Sequence, residues 1–186
     1  RTFGEAFSTW ATHLFGDHGL VLIDPGHPDL IAMAQEPLLK EIGEGSPSSR
    51  CAMNASQRLV DKNYTPQVRQ QAGRLNLFLA ENERHPIHIE DDGFAVRDPE
   101  RRFTRDELLE MARENPRAFS PNVLMRPLVQ DTILPTVAYV GGPGEIAYFA
   151  QLRGAYEEFG IPMPVVYPRK GFTFVERHLG SSLAGL

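Results

Sequence analysis

The sequence lacks the features that mark several large classes of protein. It has one cysteine among 186 residues, so no intramolecular disulfide can form and we expect a reducing compartment such as the cytoplasm. That residue, Cys51, lies among small and polar neighbours, which favours an incidental over a catalytic role. No apolar run reaches the roughly 18 residues of a membrane span. With a net charge of −5, nothing indicates a nucleic-acid partner.

Two nucleotide signatures and a metal site are missing as well. No G-x-G-x-x-G follows a predicted strand, which argues against a nicotinamide-dependent oxidoreductase. No GxxxxGK[ST] loop occurs either. His85 and His88 stand at an odd separation in a predicted strand, so their side chains point to opposite faces and cannot share an ion. We therefore predict no metal and no cofactor held within this chain.

What the sequence does contain is a globular composition and, over residues 120–169, alternating strand and helix signals. Hydrophobic residues make up 41% and charged residues 23%, which is typical of a folded domain. The pattern predicts a helix starting at Ser120-Pro121, a buried strand over 135–140, a glycine turn, a helix over 143–159 and a strand over 165–167. Such a glycine turn favours an anion site, although the glycines are equally consistent with a simple change of chain direction.

The N-terminal part extends this α/β pattern. A helix is predicted over residues 2–16, followed by an apolar run, 20–23, that is typical of a strand buried in a parallel sheet. Asp24 then lies at the carboxyl end of that strand or caps the following turn. A helix over 27–44, kinked or broken at Pro37, and a polar helix over 48–62 come next.

The middle of the chain changes character. Short strand-like runs at 75–79, 86–89 and 94–96, with a hairpin signal between the last two, predict an antiparallel meander. Thr104 and Glu107 form a capping box that starts a helix ending near residue 115. The fold class is therefore α/β, a parallel sheet with flanking helices and an inserted small antiparallel meander plus helices.

Polar residues follow the predicted parallel strands at one edge of the sheet. Asp24, the glycine turn and Arg169 each come at a strand's carboxyl end, where open α/β sheets bind ligands. Arg126 stands beside the helix break expected at Pro127. It would bind a carboxylate or phosphate bidentately if it faces this edge, and it is an ordinary surface arginine if it faces outwards.

Segments spread over nearly the whole chain carry a more specific signal. They are Asn122-Val123-Leu124-Met125-Arg126-Pro127, Gln130, Leu134-Pro135-Thr136, Gly142-Pro143-Gly144-Glu145-Ile146 and Met163-Pro164 with Pro168-Arg169, and more loosely 19–22, 76–78, 94–96 and 104–108. In order and spacing they resemble the cysteine-adding enzyme of bacillithiol biosynthesis, a family described as cysteine ligases. The resemblance implies a Rossmann-like core in two parts, residues 1–42 and 120–179, with a connecting insert over 43–119.

The resemblance also implies an activity. Family members are described as joining cysteine to the amino group of glucosaminyl malate, and as homodimers held by a C-terminal coiled coil. They are much longer than this chain, which begins at Arg1 and lacks both the coiled coil and the nucleotidyltransferase-like motifs of their N-terminal part. We therefore expect a central fragment of a cytoplasmic ligase, inactive alone, whose partners are the small-molecule substrates.

Seven positions take roles from this resemblance. Gly142 and Gly144 form the floor of a cleft, and its polar walls are Asn122, Arg126, Gln130 and Arg169. Arg126 or Arg169 holds the malate carboxylates. Glu145 is the candidate catalytic residue that orients the substrate amine, or it only favours the helix N-terminus electrostatically. Because an amide needs an activated carboxyl group, the full-length protein is expected to use a nucleotide, ATP or ADP, at a site that the sequence does not place.

A function of another class stays open. The chain could be a non-catalytic binding or assembly module on an α/β scaffold. The polar character of the predicted helix over 48–62 motivates this alternative, because its outer face could meet a partner.

Overall fold

A computed structural model describes residues 2–24, 27–80 and 83–176. The helices are α1 Phe3–Phe15, α2 Pro28–Met33, α3 Gln35–Gly43, α4 Pro47–Val60, α5 Arg105–Glu114, α6 Met125–Ile133, α7 Pro143–Phe149 and α8 Arg153–Phe159. The strands are β1 Arg74–Ala80, β2 Arg84–Glu90, β3 Gly93–Arg97, β4 Glu100–Phe103, β5 Phe119–Pro121, β6 Ala138–Gly141 and β7 Val165–Pro168.

The middle of the chain forms the predicted antiparallel meander. The strand order is β4-β3-β2-β1-β5, and Glu90 pairs with Gly93 to close the hairpin between β2 and β3. The sheet also contains β4 and β5, which were not predicted. Their sequences, a charged Glu-Arg-Arg-Phe and a three-residue segment ending in proline, lack the apolar alternation that identifies a strand.

The second sheet contains two parallel strands, β6 and β7, paired from Ala138 with Val165 to Gly141 with Pro168. Both strands were predicted, but the burial predicted for β6 is wrong. Tyr139 packs against the core, whereas Val140 is 57% exposed. A half-covered strand pair explains this alternation, since only one of its faces meets the rest of the domain. The parallel sheet is therefore confirmed only for two strands of the described part of the chain.

One hydrophobic core joins the three predicted segments of the chain. Its buried members include Leu38 and Ile42 of α3, Ala52 of α4, Leu75, Leu77 and Leu79 of β1, Leu108 of α5, Met125 and Leu128 of α6, Leu152 just before α8, and Tyr156 of α8. The meander thus packs directly on helices from both sides of the chain. The domain boundaries at residues 43 and 120 stay predictions.

The apolar run 20–23 is not the buried strand that its composition predicted. No strand among residues 2–24, 27–80 and 83–176 pairs with it, and Val21 is 77% exposed. An apolar run forms a buried strand only where a neighbour supplies the hydrogen bonds and the cover. Asp24 consequently does not follow a strand, and two strand ends rather than three carry polar groups. Helix α1 is confirmed, although among its residues only Ala11 is buried.

Two long predicted helices are each broken into a pair. The break between α2 and α3 falls at Ala34, not at Pro37, which occupies the first turn of α3, where a missing N–H is no loss. Between α7 and α8 the N–H groups of Gln151 and Leu152 donate three residues back instead of four, which tightens the chain into a turn. The end of α8 at Gly160, with φ +66°, is as predicted.

The helix expected to start at Ser120-Pro121 starts four residues later. Residues 119–121 pair with β1 as strand β5. The side-chain oxygen of Asn122 accepts the N–H groups of Leu124 and Met125 at 2.9 and 3.3 Å, so Asn122 rather than Ser120 satisfies the first free donors of α6. The capping box at Thr104 and Glu107 is present as predicted.

Candidate functional site

Glu145 connects the ends of both parallel strands to the first turn of α7. Its Oε1 accepts a hydrogen bond from the Tyr139 hydroxyl at 2.6 Å, and its Oε2 accepts the Gly142 backbone N–H at 2.8 Å. The Arg169 guanidinium lies 3.8 Å from the same carboxylate. The Arg169 backbone N–H also donates to the carbonyl of Gly141 at 2.8 Å. Three of the predicted site residues, Gly142, Glu145 and Arg169, therefore lie together with Tyr139, and we call these four residues the Glu145 cluster.

These contacts set the charge state of the Glu145 carboxylate. The hydrogen bond from Tyr139, then the N–H of Gly142 and the charge of Arg169, hold the pKa of Glu145 below its ordinary value of 4.5. The same hydrogen bond raises the pKa of the Tyr139 hydroxyl, with burial adding to the shift. Glu145 is thus an ionised carboxylate and a weak base near neutral pH, suited to orienting a cationic or N–H group.

The two predicted floor glycines differ in what their surroundings require. A Cβ on Gly142 would lie 2.8 Å from an Arg169 guanidinium nitrogen, so glycine allows the guanidinium to approach the backbone there. A Cβ on Gly144 would meet no atom within 4 Å. The missing side chain at Gly142 therefore shapes the site, whereas no steric demand for glycine exists at Gly144.

Arg126 is exposed on the first turn of α6, and its positive charge influences the pKa of two nearby tyrosines. It opposes the rise in the pKa values of both Tyr139 and Tyr148. Within the part of the chain that the structure describes, its side chain makes no hydrogen bond or ion pair. Arg126 is thus available to a ligand close to the Glu145 cluster.

Among the described residues, neither Asn122 nor Gln130 forms a hydrogen bond with the Glu145 carboxylate. The Asn122 amide is engaged at both of its polar atoms, since its oxygen caps α6 and its nitrogen donates to the Asn76 side chain at 2.7 Å. Gln130 makes one long hydrogen bond, 3.5 Å, to Asp131 and lines a largely apolar cavity of about 590 Å³. Asn122 therefore has a structural role here, and Gln130 belongs to a neighbouring surface.

A buried polar network around Glu41, which the sequence did not reveal, is linked to Asn122 through Asn76. Glu41 is fully buried, and its Oε1 accepts the Asn76 backbone N–H at 3.0 Å and the hydroxyls of Ser46 and Ser48 at 2.9 and 3.0 Å. The Asn76 amide donates in turn to Ser48 at 2.7 Å. The network fixes the start of α4 to β1 and, through Asn76, to Asn122. Its partners are far apart in sequence, so no local pattern predicts it.

Other candidate chemistries find little support in the described residues. Burial, followed by the charge of Glu158, raises the pKa of the Cys51 thiol, so it is not an activated nucleophile. Residues 2–24, 27–80 and 83–176 contain no group of three or more side chains able to hold a metal ion. None of the helices in those ranges is both long and apolar enough to cross a membrane.

Comparison with known proteins gives the family. The profile described as "Bacillithiol biosynthesis BshC, N-terminal Rossmann-like domain" matches residues 1–170. The chain belongs to this family. Membership in the BshC family confirms both the resemblance found in the sequence and the Rossmann-like fold class, while the roles assigned to single residues stay predictions.

Curated relatives agree with this assignment. Proteins named "Putative cysteine ligase BshC" match from Chlorobaculum tepidum (40% identical over 185 residues, 98% of this chain and 32% of the relative), Salinibacter ruber (42% over 175 residues, 92% and 31%) and Bacillus cereus (32% over 188 residues, 100% and 35%). The chain therefore spans about a third of the length of the BshC relatives it matches.

Proposed function

We propose that this chain is the Rossmann-like part of a ligase that joins cysteine to the amino group of glucosaminyl malate in bacillithiol biosynthesis. The observation that carries the proposal is the BshC family match over residues 1–170. The Glu145 cluster supports it, because Glu145 and Arg169 stand at the carboxyl ends of two parallel strands, where open α/β sheets bind their ligands.

The chemistry of the cluster fits an anionic substrate that bears an amine. The guanidinium of Arg169, 64% exposed, and that of Arg126 are matched to the malate carboxylates. The ionised Glu145 accepts a hydrogen bond from the amine and directs its lone pair at the activated carboxyl carbon of cysteine. The C–N bond forms as the amine loses a proton and the activating group departs.

Activation of the cysteine carboxyl group is part of the same proposal, with a nucleotide such as ATP as its source in the full-length protein. The described residues contain no phosphate-binding loop with a following lysine. They therefore do not fit a nucleotide bound through such a loop. We further propose that the full-length protein is cytoplasmic, that it forms a homodimer through a coiled coil outside this chain, and that the chain is inactive alone.

The outer face of β6 and β7 is exposed, with Val140 at 57% and Val165 at 65%. This exposure supports the proposal that the chain is inactive alone, because a larger parallel sheet in the full-length protein would cover that face.

The test is product formation by the full-length protein from cysteine, glucosaminyl malate and ATP, followed by mass spectrometry. Arg126→Ala and Arg169→Ala should each raise KM for glucosaminyl malate by about tenfold or more, since a hydrogen bond to a charged group contributes about 1.5–3 kcal/mol. Arg153→Ala is the matched control, because Arg153 pairs with Glu157 on α8. Unchanged kinetics in both site variants would overturn the site, and no product from the wild type would overturn the ligase.

Binding separates the contribution of this chain from that of the rest of the protein. Glucosaminyl malate is titrated calorimetrically into this chain and into the full-length protein. Saturable binding to the chain would mean that Arg126, Glu145 and Arg169 suffice. Binding only to the full-length protein would mean that the site is shared with the rest of the protein.

One observation favours the second candidate, a non-catalytic assembly module. The apolar side chains of α1 are largely exposed, with Phe3 at 90%, Phe7 at 53% and Trp10 at 59%, and such a surface is typical of an interface. Helix α4, which first suggested this function, packs on the core through Ala52 and Ala55. A concentration-dependent dimer of this chain in sedimentation velocity that Trp10→Glu abolishes would support assembly through α1, and association that this substitution leaves unchanged would count against it.

A further inference from the structure

A basic cavity of about 480 Å³ lies beside β1, where the pairing of β1 with β2 is irregular between Arg74 and Phe78. Four arginines line it: Arg69, Arg74, Arg84 and Arg126. Among the residues that the structure describes, no aspartate or glutamate lines it. The cavity is thus a local concentration of positive charge in a chain whose net charge is −5.

Two of these arginines are held in place by their own contacts. The Arg84 guanidinium lies 4.3 Å from the centre of the Phe78 ring and donates to the backbone carbonyl of Pro121 at 2.9 Å. Arg74, the first residue of β1, donates to the side chain of Gln71. Stacking and a single hydrogen bond leave most of the five N–H donors of a guanidinium free for a ligand.

Arg69 is positioned through the backbone segment that precedes it. The fully buried Gln151 accepts the N–H groups of Gln67 and Val68, each at 2.8 Å, and donates to the Val68 carbonyl at 3.0 Å. Its amide also donates to Ser56 of α4 at 2.8 Å. A loop that would otherwise be free is therefore fixed beside the cavity, with Arg69 directly after the fixed residues.

Two asparagines that are held by hydrogen bonds are also among the lining residues. They are Asn76 and Asn122, and the Asn122 amide donates to the Asn76 side chain. Asn76 is held in addition by Glu41, which accepts its backbone N–H and does not line the cavity. Polar groups that are held in place before binding reduce the entropy lost when a ligand is bound.

The four positive charges have no ion-pair partner among the described residues. In residues 2–24, 27–80 and 83–176, none of these arginines forms an ion pair with a carboxylate. Like charges around one small space repel each other, and a bound anion removes this repulsion. The volume falls within the roughly 300–1,000 Å³ of small-molecule sites.

We propose that this cavity binds a small polyanion carrying two or more phosphate or carboxylate groups, held by Arg69, Arg74, Arg84 and Arg126. The site does not include Gly142, Glu145 or Arg169, and of the residues that the sequence assigned to the substrate cleft it contains Asn122 and Arg126. The proposal does not rest on the ligase reaction, so it can fail or stand independently of it.

Arginine footprinting on the full-length protein tests the site directly. Phenylglyoxal modifies accessible guanidinium groups, and peptide mass spectrometry reports the rate at each arginine. Pyrophosphate and L-malate are the two probes, since they carry phosphate and carboxylate groups respectively. We expect at least one of them to slow modification of Arg69 and Arg74 by fivefold or more, while the exposed Arg58 and Arg113 react at unchanged rates.

The outcomes separate the two sources of negative charge. Protection by pyrophosphate alone would show that the cavity binds phosphate groups, and protection by malate alone would show that it binds carboxylates. Protection by both would show that it accepts either kind of polyanion. Equal rates with and without both probes would overturn the proposal.

A charge-matched pair of variants completes the test. In the double variant Arg69→Gln, Arg74→Gln, protection of Arg84 should need at least tenfold more probe than in the wild type, whereas Arg58→Gln, Arg113→Gln should leave it unchanged. Circular dichroism checks that both variants are folded. Equal protection of Arg84 in the two double variants would show that the cavity arginines do not act together.

Discussion

The guanidinium of Arg169 lies 3.8 Å from the carboxylate of Glu145, across the ends of the two parallel strands. The pair links the residue that follows β7 to the first turn of α7. Because both side chains are substantially exposed, the pair contributes little to folding stability. Its effect is to fix the direction of two charged groups beside Gly142, which is what a substrate site requires.

The titration of Glu145 should be visible at the Gly142 amide. Since the pKa of Glu145 is lowered in the folded protein, the chemical shift of the Gly142 amide proton should titrate with a midpoint below 4.5. The stabilisation that these contacts give is complete above the unfolded-state pKa and is lost as the pH falls through the folded one. Tyr139→Phe should raise the midpoint, because the Tyr139 hydroxyl is the largest cause of the shift. A midpoint unchanged by that substitution would show that the hydrogen bond is not made in solution.

Removal of the buried Glu41 carboxylate should destabilise the protein strongly. Glu41→Ala leaves the Asn76 N–H and two serine hydroxyls without their acceptor, and each buried unsatisfied group costs about 1–3 kcal/mol. We expect the free energy of unfolding in urea, followed by circular dichroism, to fall by about 3–5 kcal/mol. The control Glu44→Ala, on the exposed end of the same helix region, should change it by less than about 0.5 kcal/mol. A similar small loss in both variants would mean that the network does not hold α4 to β1.

Gln151→Ala should release the segment that precedes β1. The N–H groups of Gln67 and Val68 lose their acceptor, so their hydrogen exchange should become at least tenfold faster. We expect the free energy of unfolding to fall by about 1–3 kcal/mol. Gln70→Ala is the control, since the Gln70 side chain makes only a 3.3 Å hydrogen bond within the same segment. Exchange rates that do not respond to Gln151→Ala would contradict the role assigned to this side chain.

His88 should titrate below the ordinary histidine range. Burial in β2, then the charges of Arg97 and Arg74, lower its pKa from 6.5. The folded protein therefore binds the proton less readily than the unfolded chain, and stability falls as the pH drops below 6.5. The imidazole proton resonance should give a midpoint below 6.5, and Arg97→Gln should raise it. The exposed Arg113→Gln should have no effect, and equal shifts in the two variants would point to net charge rather than to a local contact.

Local signals explain which parts of the fold could be predicted. The capping box at Thr104 involves residues three apart, and the glycine turn before α7 directly follows its strand, so the sequence alone places both. The nearness of Glu145 and Arg169 followed from the same reasoning, since parallel strands bring their carboxyl ends to one edge.

Features that depend on distant partners were wrong or missed. Whether residues 20–23 form a strand is decided by a neighbour and not by their own hydrophobicity. The sequence placed the helix break at Pro37, whereas the break is at Ala34. A proline breaks a helix in its interior but is tolerated in its first turn, where Pro37 lies. The basic cavity joins Arg69 of the loop before β1, Arg84 of β2 and Arg126 of α6, which no spacing along the chain reveals.

In the described part of the chain, β6 and β7 pair only with each other, and this affects how the isolated chain behaves in solution. In the described part of the chain each of these strands has one neighbour, so each leaves a row of backbone N–H and C=O groups open along its other side. Such edges are templates for pairing with another copy. Preparations of this chain on its own are therefore expected to associate edge to edge as concentration rises, and a mutation that places lysine at Val140 or Val165 should keep them dispersed.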